Sequence, residues 1–491
     1  MFVAQLLPLR PVLCLDISEG CGPEQAFAVD TSLCGPNGST DLLYKGDAML
    51  IVSHEPAAET SSPGSAARAI QFIHRHLVAV LIVIAVSTTS FVYLTRLTLG
   101  PLRDDAEGYY LYLPAIWLYH DVTLTDPRLA YPWWAIHHFP STGHNGDVYQ
   151  LGVAVLCSPL FLVGHFTAVL LQLHPNGYSV PEQVGAVLTA LGMLVLGAWA
   201  LRRSLSRRHS TGVVVGALVC VIFGTSVFDY AVVDSLYSHI FAFGLICALI
   251  PISEAWVESG SKRLIFLLGL VVGLLALVRL SDVIFIALPF CYLLSTSGGP
   301  KAGLHRLWAQ RWAVLAVLMV AFLVYLPQLL LFRFASGYWT TNLYGGSPFD
   351  WLHPHTLQAL LSFNPHGLLP WAPVLILAIP GLIVMGLRRD PWAVPLIAIL
   401  TLNLYIITSW HQWSYGSGFG LRPFVDSTGL LALPLAAFFS DLKTPIARLS
   451  VLILAWILVM ATVIQTIHYW HGLIAWDGIS AGRYLQLLFR P

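Results

Sequence analysis

Long apolar stretches separated by short polar connections dominate the chain from residue 77 onward. The first runs from Leu77 to Leu97 with no charge before Arg96, enough for a helix to cross a hydrocarbon core of ~30 Å. Eleven more lie at 151–173, 184–201, 211–228, 239–256, 264–280, 281–296, 312–332, 371–387, 393–409, 425–440 and 449–467. The pattern predicts an all-α polytopic membrane protein with twelve candidate spans.

Basic residues are concentrated in alternate connections between these stretches. The five basic groups are Arg202, Arg203, Arg207 and Arg208; Lys262 and Arg263; Lys301, Arg306 and Arg311; Arg388 and Arg389; and Lys443 and Arg448. Short loops rich in Lys and Arg stay cytoplasmic, so all five should share one side, together with Arg68 and Arg75 before the first span. The number of crossings between residues 76 and 202 should then be even.

Three candidates lie in that interval, so one of them should not cross. The stretch 151–173 contains Pro159, Gly164 and His165 and has a polar approach, which favours a helix in the interface or a re-entrant segment. We therefore expect about eleven transmembrane helices, with interfacial helices in a first outer loop at 98–182. The alternative is twelve spans, with that loop cytoplasmic.

The N-terminal residues differ in character from the rest. Residues 1–68 have a mixed composition and end in a turn-prone run of small residues, which predicts a disordered tail before a transmembrane domain at 69–491. No signal peptide is evident, and Met49 offers a shorter start.

The composition sharpens this picture. The chain is 57% hydrophobic, 10% charged and has zero formal net charge, which excludes a soluble globule and gives no basic surface for nucleic acid. Its seven cysteines form no C-x-x-C pair, so zinc and redox frameworks are poorly supported. Because charge is scarce, the acids Asp104, Asp105 and Glu107 just after the first span stand out.

Asp104 and Asp105 are the first candidates for chemistry. A carboxylate can accept the proton of an acceptor hydroxyl, and two close acids can instead hold a divalent metal ion. The segment 228–239 lies on the same predicted side and adds Asp234 as a third acid and His239 as a phosphate-binding candidate. The alternative is that the acids of the first cluster are solvated in an interfacial turn or hold Arg103, and that Asp234 keeps a short loop solvated.

Two arginines at span ends are candidate phosphate ligands. Arg279 follows an apolar run, and an arginine near membrane depth needs an anion, either Asp282 or a lipid phosphate. Arg422 begins a later span, where it would bind phosphate bidentately or pair with Asp426.

Aromatic residues collect in the outer loops beside His and Gly. Tyr109, Tyr110, Trp410, His411 and Trp413 are candidates for binding a sugar or an acceptor, since aromatic faces pack on sugar C–H surfaces. A belt of aromatic side chains at the bilayer interface explains the rings equally well, but not the accompanying His and Gly on one side.

Five motifs in order carry a resemblance to a known family. They are R-D-D-A-E-G-Y-Y-L-Y-L-P-A, Y-S-H, R-L-S-D, S-F-N-P-H-G-L-L-P-W and W-x-x-W-S-Y-G-S-G-F-G-x-R. Together they resemble a bacterial branch of the GT-C superfamily, which includes protein O-mannosyltransferases and lipid A aminoarabinose transferases. The likeness covers about residues 77 to 467 and departs from the family pattern at Ala106, Asp234 and Ser235.

The resemblance implies an inverting glycosyltransferase in the bacterial inner membrane, with its active site facing the periplasm. The donor would be a polyprenyl-phosphate-linked sugar, and the acceptor a hydroxyl of a glycan, lipid or protein. The catalytic acid maps best to Asp105, with Asp104 adjacent. The rival from another class is a secondary transporter or lipid flippase, which would place ionisable residues near mid-membrane in broken helices.

Overall fold

The computed structural model describes residues 40–45, 48–53, 65–95, 100–130, 132–340, 349–364, 366–416, 418–475 and 477–489. The chain divides into two units, 1–64 and 65–491. In the first unit, β1 (Thr40–Lys45) pairs antiparallel with β2 (Ala48–Ser53). The remaining residues of the predicted tail up to 64 lie outside the described residues.

The second unit is mainly helical. Its helices are α1 Ser65–Arg75, α2 Leu77–Thr95, α3 Asp105–Trp117, α4 Gly152–Leu170, α5 Val180–Leu205, α6 Thr211–Phe223, α7 Val227–Val232, α8 Ser238–Ser259, α9 Lys262–Val278, α10 Ala287–Ser295, α11 Pro300–Ala309, α12 Arg311–Ser336, α13 Thr356–Leu361, α14 Leu368–Trp371, α15 Ala378–Leu387, α16 Ala393–Ser409, α17 Val425–Thr428, α18 Ala432–Asp441, α19 Pro445–Trp470 and α20 Ala481–Phe489. Short 3₁₀ segments at Leu280–Ile286, Pro373–Leu377, Arg422–Phe424 and Gly429–Leu431 lead into several of them. A hairpin of β3 (Ile136–Phe139) and β4 (His144–Asp147) interrupts the first predicted outer loop.

Seven described helices are long and apolar enough to cross a membrane, which indicates a multi-pass membrane protein. They are Leu77–Thr95, Gly152–Leu170, Val180–Leu205, Ser238–Ser259, Arg311–Ser336, Arg422–Asp441 and Pro445–Trp470. Of these, Arg422–Asp441 is the continuous run of two 3₁₀ segments with α17 and α18. A bent pair, Leu280–Ser295 with Pro300–Ala309, raises the number to eight if it counts as one span. The predicted count of about eleven is not reached by these criteria. The helix α4 is continuous through Pro159 and qualifies by length and composition alone.

Glycines allow α4 and α5 to approach closely. A Cβ added to Gly164 would overlap the carbonyl oxygen of Pro181, and one added to Gly185 would overlap that of Leu160. These two contacts show that α4 and α5 run antiparallel. A side chain at either glycine would force the two helices apart, because backbone atoms cannot yield as a flexible side chain does.

The helix α8 forms the centre of the second unit and separates two chemically different ends. At 22 residues it is about 33 Å long. Most of its side chains are buried, whereas most residues of α12 and α19 are at least partly exposed. The acids Glu254 and Glu258 lie near its C-terminus, and Ser238 and His239 lie at its N-terminus.

The basic connections meet at the C-terminal end of α8. The contacts that join them are Arg207–Glu258, Arg208–Glu254, Arg208–Asp390, Arg388–Asp441 and His209–Ser440. In addition, Arg306 donates to the backbone oxygen of Val257 at 3.0 Å. Basic groups that are far apart in sequence therefore gather at the C-terminal end of α8, and the candidate catalytic residues lie towards its N-terminal end.

Candidate active site

The two acids lie at the start of α3, on a strained turn. Asp105 is the first residue of the helix, and Asp104 precedes it with a φ of 48°. Positive φ is uncommon for a residue other than glycine, and such strain clusters at functional sites. The helix N-terminus also favours negative charge. Asp104 accepts a hydrogen bond from the Tyr237 hydroxyl at 3.4 Å.

Asp105 is bound through both carboxylate oxygens. Its Oδ1 accepts a hydrogen bond from the Tyr149 hydroxyl at 2.7 Å. Its Oδ2 lies 2.9 Å from Nη2 of Arg422, and the Asp105 side chain remains 23% exposed. The carboxylate is thus oriented by two groups while one part of it still faces open space.

That open space is a cavity of about 690 Å³. Its charged lining residues are Asp104, Asp105, Arg279 and Arg422; its aromatic ones are Tyr109, Trp134, Tyr149, Phe349, Trp410 and Tyr415; and its polar ones include Gln150, Ser281 and Gln412. Two carboxylates face two guanidinium groups among rings, so the charged side chains in the wall balance. A cavity of several hundred Å³ with a few convergent polar groups is typical of a small-molecule site.

Arg279 is held at the cavity wall by Asp282, three residues further along the chain, and by Asp426 of α17. Its Nε lies 3.0 Å from Oδ2 of Asp426 and 3.7 Å from Oδ2 of Asp282, and Nη1 donates to Ser238 Oγ at 3.0 Å. The Asp426 Oδ1 in turn lies 2.7 Å from Nδ1 of His239. A buried cation is stable only with such partners, so Asp282 and Asp426 fix where the guanidinium sits.

Arg422 approaches the cavity from the N-terminus of a later apolar helix. It donates from Nη2 to the backbone oxygen of Tyr415, and its guanidinium lies 5.5 Å from the centre of the Tyr237 ring. Tyr415 itself has a φ of 59°, a second strained residue at the cavity. The side chain of Arg422 is only 7% exposed, so its charge depends on the partners around it.

Asp234 does not belong to the described lining of the cavity, unlike Asp104 and Asp105. Arg103 donates from Nε and Nη2 to its Oδ1, the former at 3.0 Å. Burial would lower the pKa of Arg103, but the Asp234 carboxylate outweighs it and raises that pKa. This ion pair anchors the residue just before Asp104 to the segment between α7 and α8.

The neighbouring Asp229 is also buried, and Trp470 donates from Nε1 to its Oδ1 at 2.5 Å. Burial, followed by repulsion from Asp234, raises the pKa of Asp229 well above its usual value. Burial and the neighbouring carboxylate thus both favour the neutral form of Asp229.

The other predicted binding residues divide between the cavity and the interior. Tyr109 and Trp410 line the cavity. The Tyr110 hydroxyl instead donates to the backbone oxygen of Gly177 at 2.7 Å, and Trp413 is buried. His411 is exposed beside Trp410, with 5.8 Å between the ring centres. His239, predicted to bind phosphate, is buried beneath Asp426.

Glu107, the third acid of the sequence cluster, lies outside the described cavity lining. Partial burial, followed by repulsion from Asp104, raises its pKa. Among the described residues, no group of three or more His, Cys, Asp and Glu side chains could hold a metal ion. Asp104 accepts a hydrogen bond from Tyr237, and Asp105 binds Tyr149 and Arg422; a divalent ion at these two acids stays a prediction.

Several cavity residues were not predicted from the sequence, above all Tyr149. It follows β4 and is positioned by Asp147, whose Oδ1 accepts its backbone N–H at 2.9 Å. Burial raises the pKa of Asp147 to about 8. The run D-V-Y-Q directly before the apolar stretch at 151 marks Tyr149 and Gln150 as polar residues just before the start of a helix. It does not indicate which residues they contact.

No protein-family model matches the chain, and no curated protein matches it.

Proposed function

We propose that the chain is a membrane glycosyltransferase that moves a sugar from a polyprenyl-phosphate donor to an acceptor hydroxyl. The observation that carries this proposal is the placement of Asp105 in a cavity of about 690 Å³ together with Arg279, Arg422 and several aromatic rings. A carboxylate suits a general base, arginine suits a phosphate, and the rings suit the faces of a sugar. The ordered motifs of the GT-C superfamily support the same reaction.

In the proposed reaction, Asp105 accepts the proton of the acceptor hydroxyl. The acceptor oxygen forms a bond to the anomeric carbon, and the bond from that carbon to the phosphate oxygen breaks. The electron pair leaves on the polyprenyl phosphate, and attack from the opposite face inverts the anomeric centre. Arg279 and Arg422 are the cations that would neutralise the departing phosphate, so no separate general acid is required.

We also propose about eleven spans, with the cavity on the extracytoplasmic face of a bacterial inner membrane. The contact of His74 Nε2 with Ser206 Oγ at 3.1 Å supports this topology, since it joins the end of α1, just before α2, to the residue just after α5. At the other end of α2, the Tyr93 hydroxyl donates to Val233 O at 2.9 Å. If α2 and α5 cross the membrane in opposite directions, the end of α2 and the start of α5 lie on the same side. The helix α4, which lies between them in the chain, then cannot be a single crossing.

Cysteine labelling tests the orientation. Ser141 is exposed in the β3–β4 turn, and Ser259 is exposed at the basic end. With the tail cysteines Cys14, Cys21 and Cys34 replaced by serine, S141C should react with a membrane-impermeant reagent added to intact cells with a permeabilised outer membrane. S259C should react only after lysis. The reverse pattern would contradict the orientation.

The activity is tested by incubating purified protein with a panel of polyprenyl-phosphate sugars and candidate acceptors. We expect a new glycosylated product and a matching release of polyprenyl phosphate. Arg279→Ala should chiefly raise the KM for the donor, because it removes a phosphate ligand. Movement of the lipid across vesicle membranes without any sugar transfer would favour the transporter or flippase alternative.

A further inference from the structure

The ion pair between Arg422 and Asp105 involves the two groups that sugar transfer would need separately. Arg422 would bind the donor phosphate, and Asp105 would accept the acceptor proton. In this structure Nη2 of Arg422 lies 2.9 Å from Oδ2 of Asp105, so the guanidinium and the carboxylate are engaged with each other. A carboxylate oxygen engaged with a cation is a weaker proton acceptor than one that is released from it.

The donor phosphate is a suitable replacement partner for Arg422. Guanidinium binds phosphate with two parallel charge-assisted hydrogen bonds, a geometry that a carboxylate shares. Arg279 differs, because its acidic partners, Asp426 at 3.0 Å and Asp282 at 3.7 Å from its Nε, are buried and do not belong to the described cavity lining. Asp105, by contrast, is itself a cavity residue and is 23% exposed, so it can turn away from Arg422 without leaving water-accessible space.

Tyr149 would hold Asp105 in place after such an exchange. Its hydroxyl donates to Oδ1 at 2.7 Å, whereas the 2.9 Å ion-pair contact with Arg422 is made through Oδ2. The ring packs against the backbone of α3, since a Cβ added to Gly108 would overlap it, and lies 4.6 Å from the Tyr109 ring centre. Its backbone N–H donates to the buried Asp147. The ring and backbone of Tyr149 are therefore fixed by contacts with α3, Tyr109 and Asp147.

We propose that the donor phosphate replaces Asp105 as the partner of Arg422, and that Tyr149 is the positioning residue that keeps the released carboxylate directed into the cavity. This inference rests on the proposed function, because it assumes a phosphate-bearing donor. The consequence is an ordered reaction, in which the donor binds before the acceptor is activated. The Asp105 base becomes available only once the donor is bound, so an acceptor that binds first is not deprotonated.

A binding experiment tests the exchange without requiring turnover. Purified full-length protein in detergent is titrated with a short-chain polyprenyl phosphate, and the fluorescence of Trp134 and Trp410 at the cavity reports binding. Asp105→Asn removes the competing carboxylate and should tighten binding about 3- to 30-fold. Asp104→Asn is the matched control, because it makes the same charge change beside a tyrosine hydroxyl rather than an arginine. The corresponding polyprenol, which lacks phosphate, should not distinguish the variants.

The outcomes separate the exchange from the function on which it rests. Tighter binding by Asp105→Asn than by Asp104→Asn supports the exchange. Equal affinities in the two variants overturn the exchange but leave the phosphate site intact. Failure of all three proteins to bind the probe overturns the phosphate site and the exchange together.

A kinetic experiment tests the role of Tyr149. Tyr149→Phe removes only the hydroxyl, so kcat should fall about 10- to 100-fold while the KM for the donor and the thermal unfolding midpoint stay unchanged. A variant that loses donor binding or thermal stability instead, or that keeps full kcat, would overturn the positioning role.

Discussion

Asp147 provides a quantitative test of how the segment between α3 and α4 supports the candidate site. Its carboxyl is fully buried beneath Tyr149, and its Oδ2 has no hydrogen-bond partner among the described residues. Burial raises its pKa from 3.8 to about 8, so the folded protein holds the proton at neutral pH. Asparagine has nearly the same shape, stays neutral at every pH and can still accept the Tyr149 N–H.

The sign and size of the effect follow from linkage. A raised pKa in the folded state stabilises the fold most below the unfolded pKa, and this contribution declines as the pH rises to about 8. Each pH unit in that window is worth ~1.4 kcal/mol, so the contribution should fall by about 4 kcal/mol between pH 5 and pH 8. Above pH 8 it should stay constant.

The assay compares wild type with Asp147→Asn in detergent, using tryptophan fluorescence to follow thermal unfolding at one scan rate from about pH 5 to pH 9.5. The midpoint of wild type minus that of the variant should decrease steadily up to about pH 8 and then level off. Other acids titrate in both proteins and cancel in this difference. A difference independent of pH would refute the buried, protonated carboxyl.

Two further substitutions test the packing around the site. Gly164→Leu should destabilise the protein by about 1–3 kcal/mol, because its side chain would overlap the carbonyl of Pro181. Gly192→Leu, on an open face of α5, should have little effect in the same unfolding assay, and equal losses would contradict close α4–α5 packing. Arg103→Met should cost about 3 kcal/mol by leaving Asp234 buried without its cation. Adding Asp234→Asn should recover most of that loss, and no recovery would show that Arg103 acts through other contacts.

The apolar pattern predicted the positions of the helices better than the number of helices that cross the membrane. The stretch predicted at 184–201 is helical from Val180 to Leu205, and its start includes Glu182, a polar residue outside the apolar window. Glu182 accepts from the Ser179 N–H at 2.8 Å and satisfies the helix end. Capping of this kind extends a helix beyond its apolar residues.

Two of the predicted spans consist of a 3₁₀ segment followed by an α-helix rather than one continuous α-helix. The stretch at 281–296 is a 3₁₀ segment, Leu280–Ile286, followed by α10, and the stretch at 371–387 contains the 3₁₀ segment Pro373–Leu377 before α15. Hydrophobicity measures only transfer into an apolar phase and does not report where the hydrogen-bonding pattern changes. The number of apolar stretches therefore exceeds the number of long continuous helices.

The sequence indicated some site residues but not their pairings. Charge scarcity singled out Asp104, Asp105 and Glu107 together, and the family resemblance favoured Asp105 among them. The cost of an arginine near membrane depth singled out Arg279. Tyr149 was missed, although it binds Asp105, because 44 positions separate the two residues and no local pattern links them. Asp234 was assigned to the site, but its pairing with Arg103 is a long-range contact that only the folded chain reveals.

The role of Asp105 is the central claim, and one measurement tests it most directly. Sugar transfer from a polyprenyl-phosphate donor is measured with purified wild type and with Asp105→Asn. Both are first checked for equal membrane insertion and an equal thermal unfolding midpoint. We expect the variant to lose transfer by at least about 100-fold, since it can no longer accept the hydroxyl proton. Transfer by the variant at the wild-type rate would contradict the account.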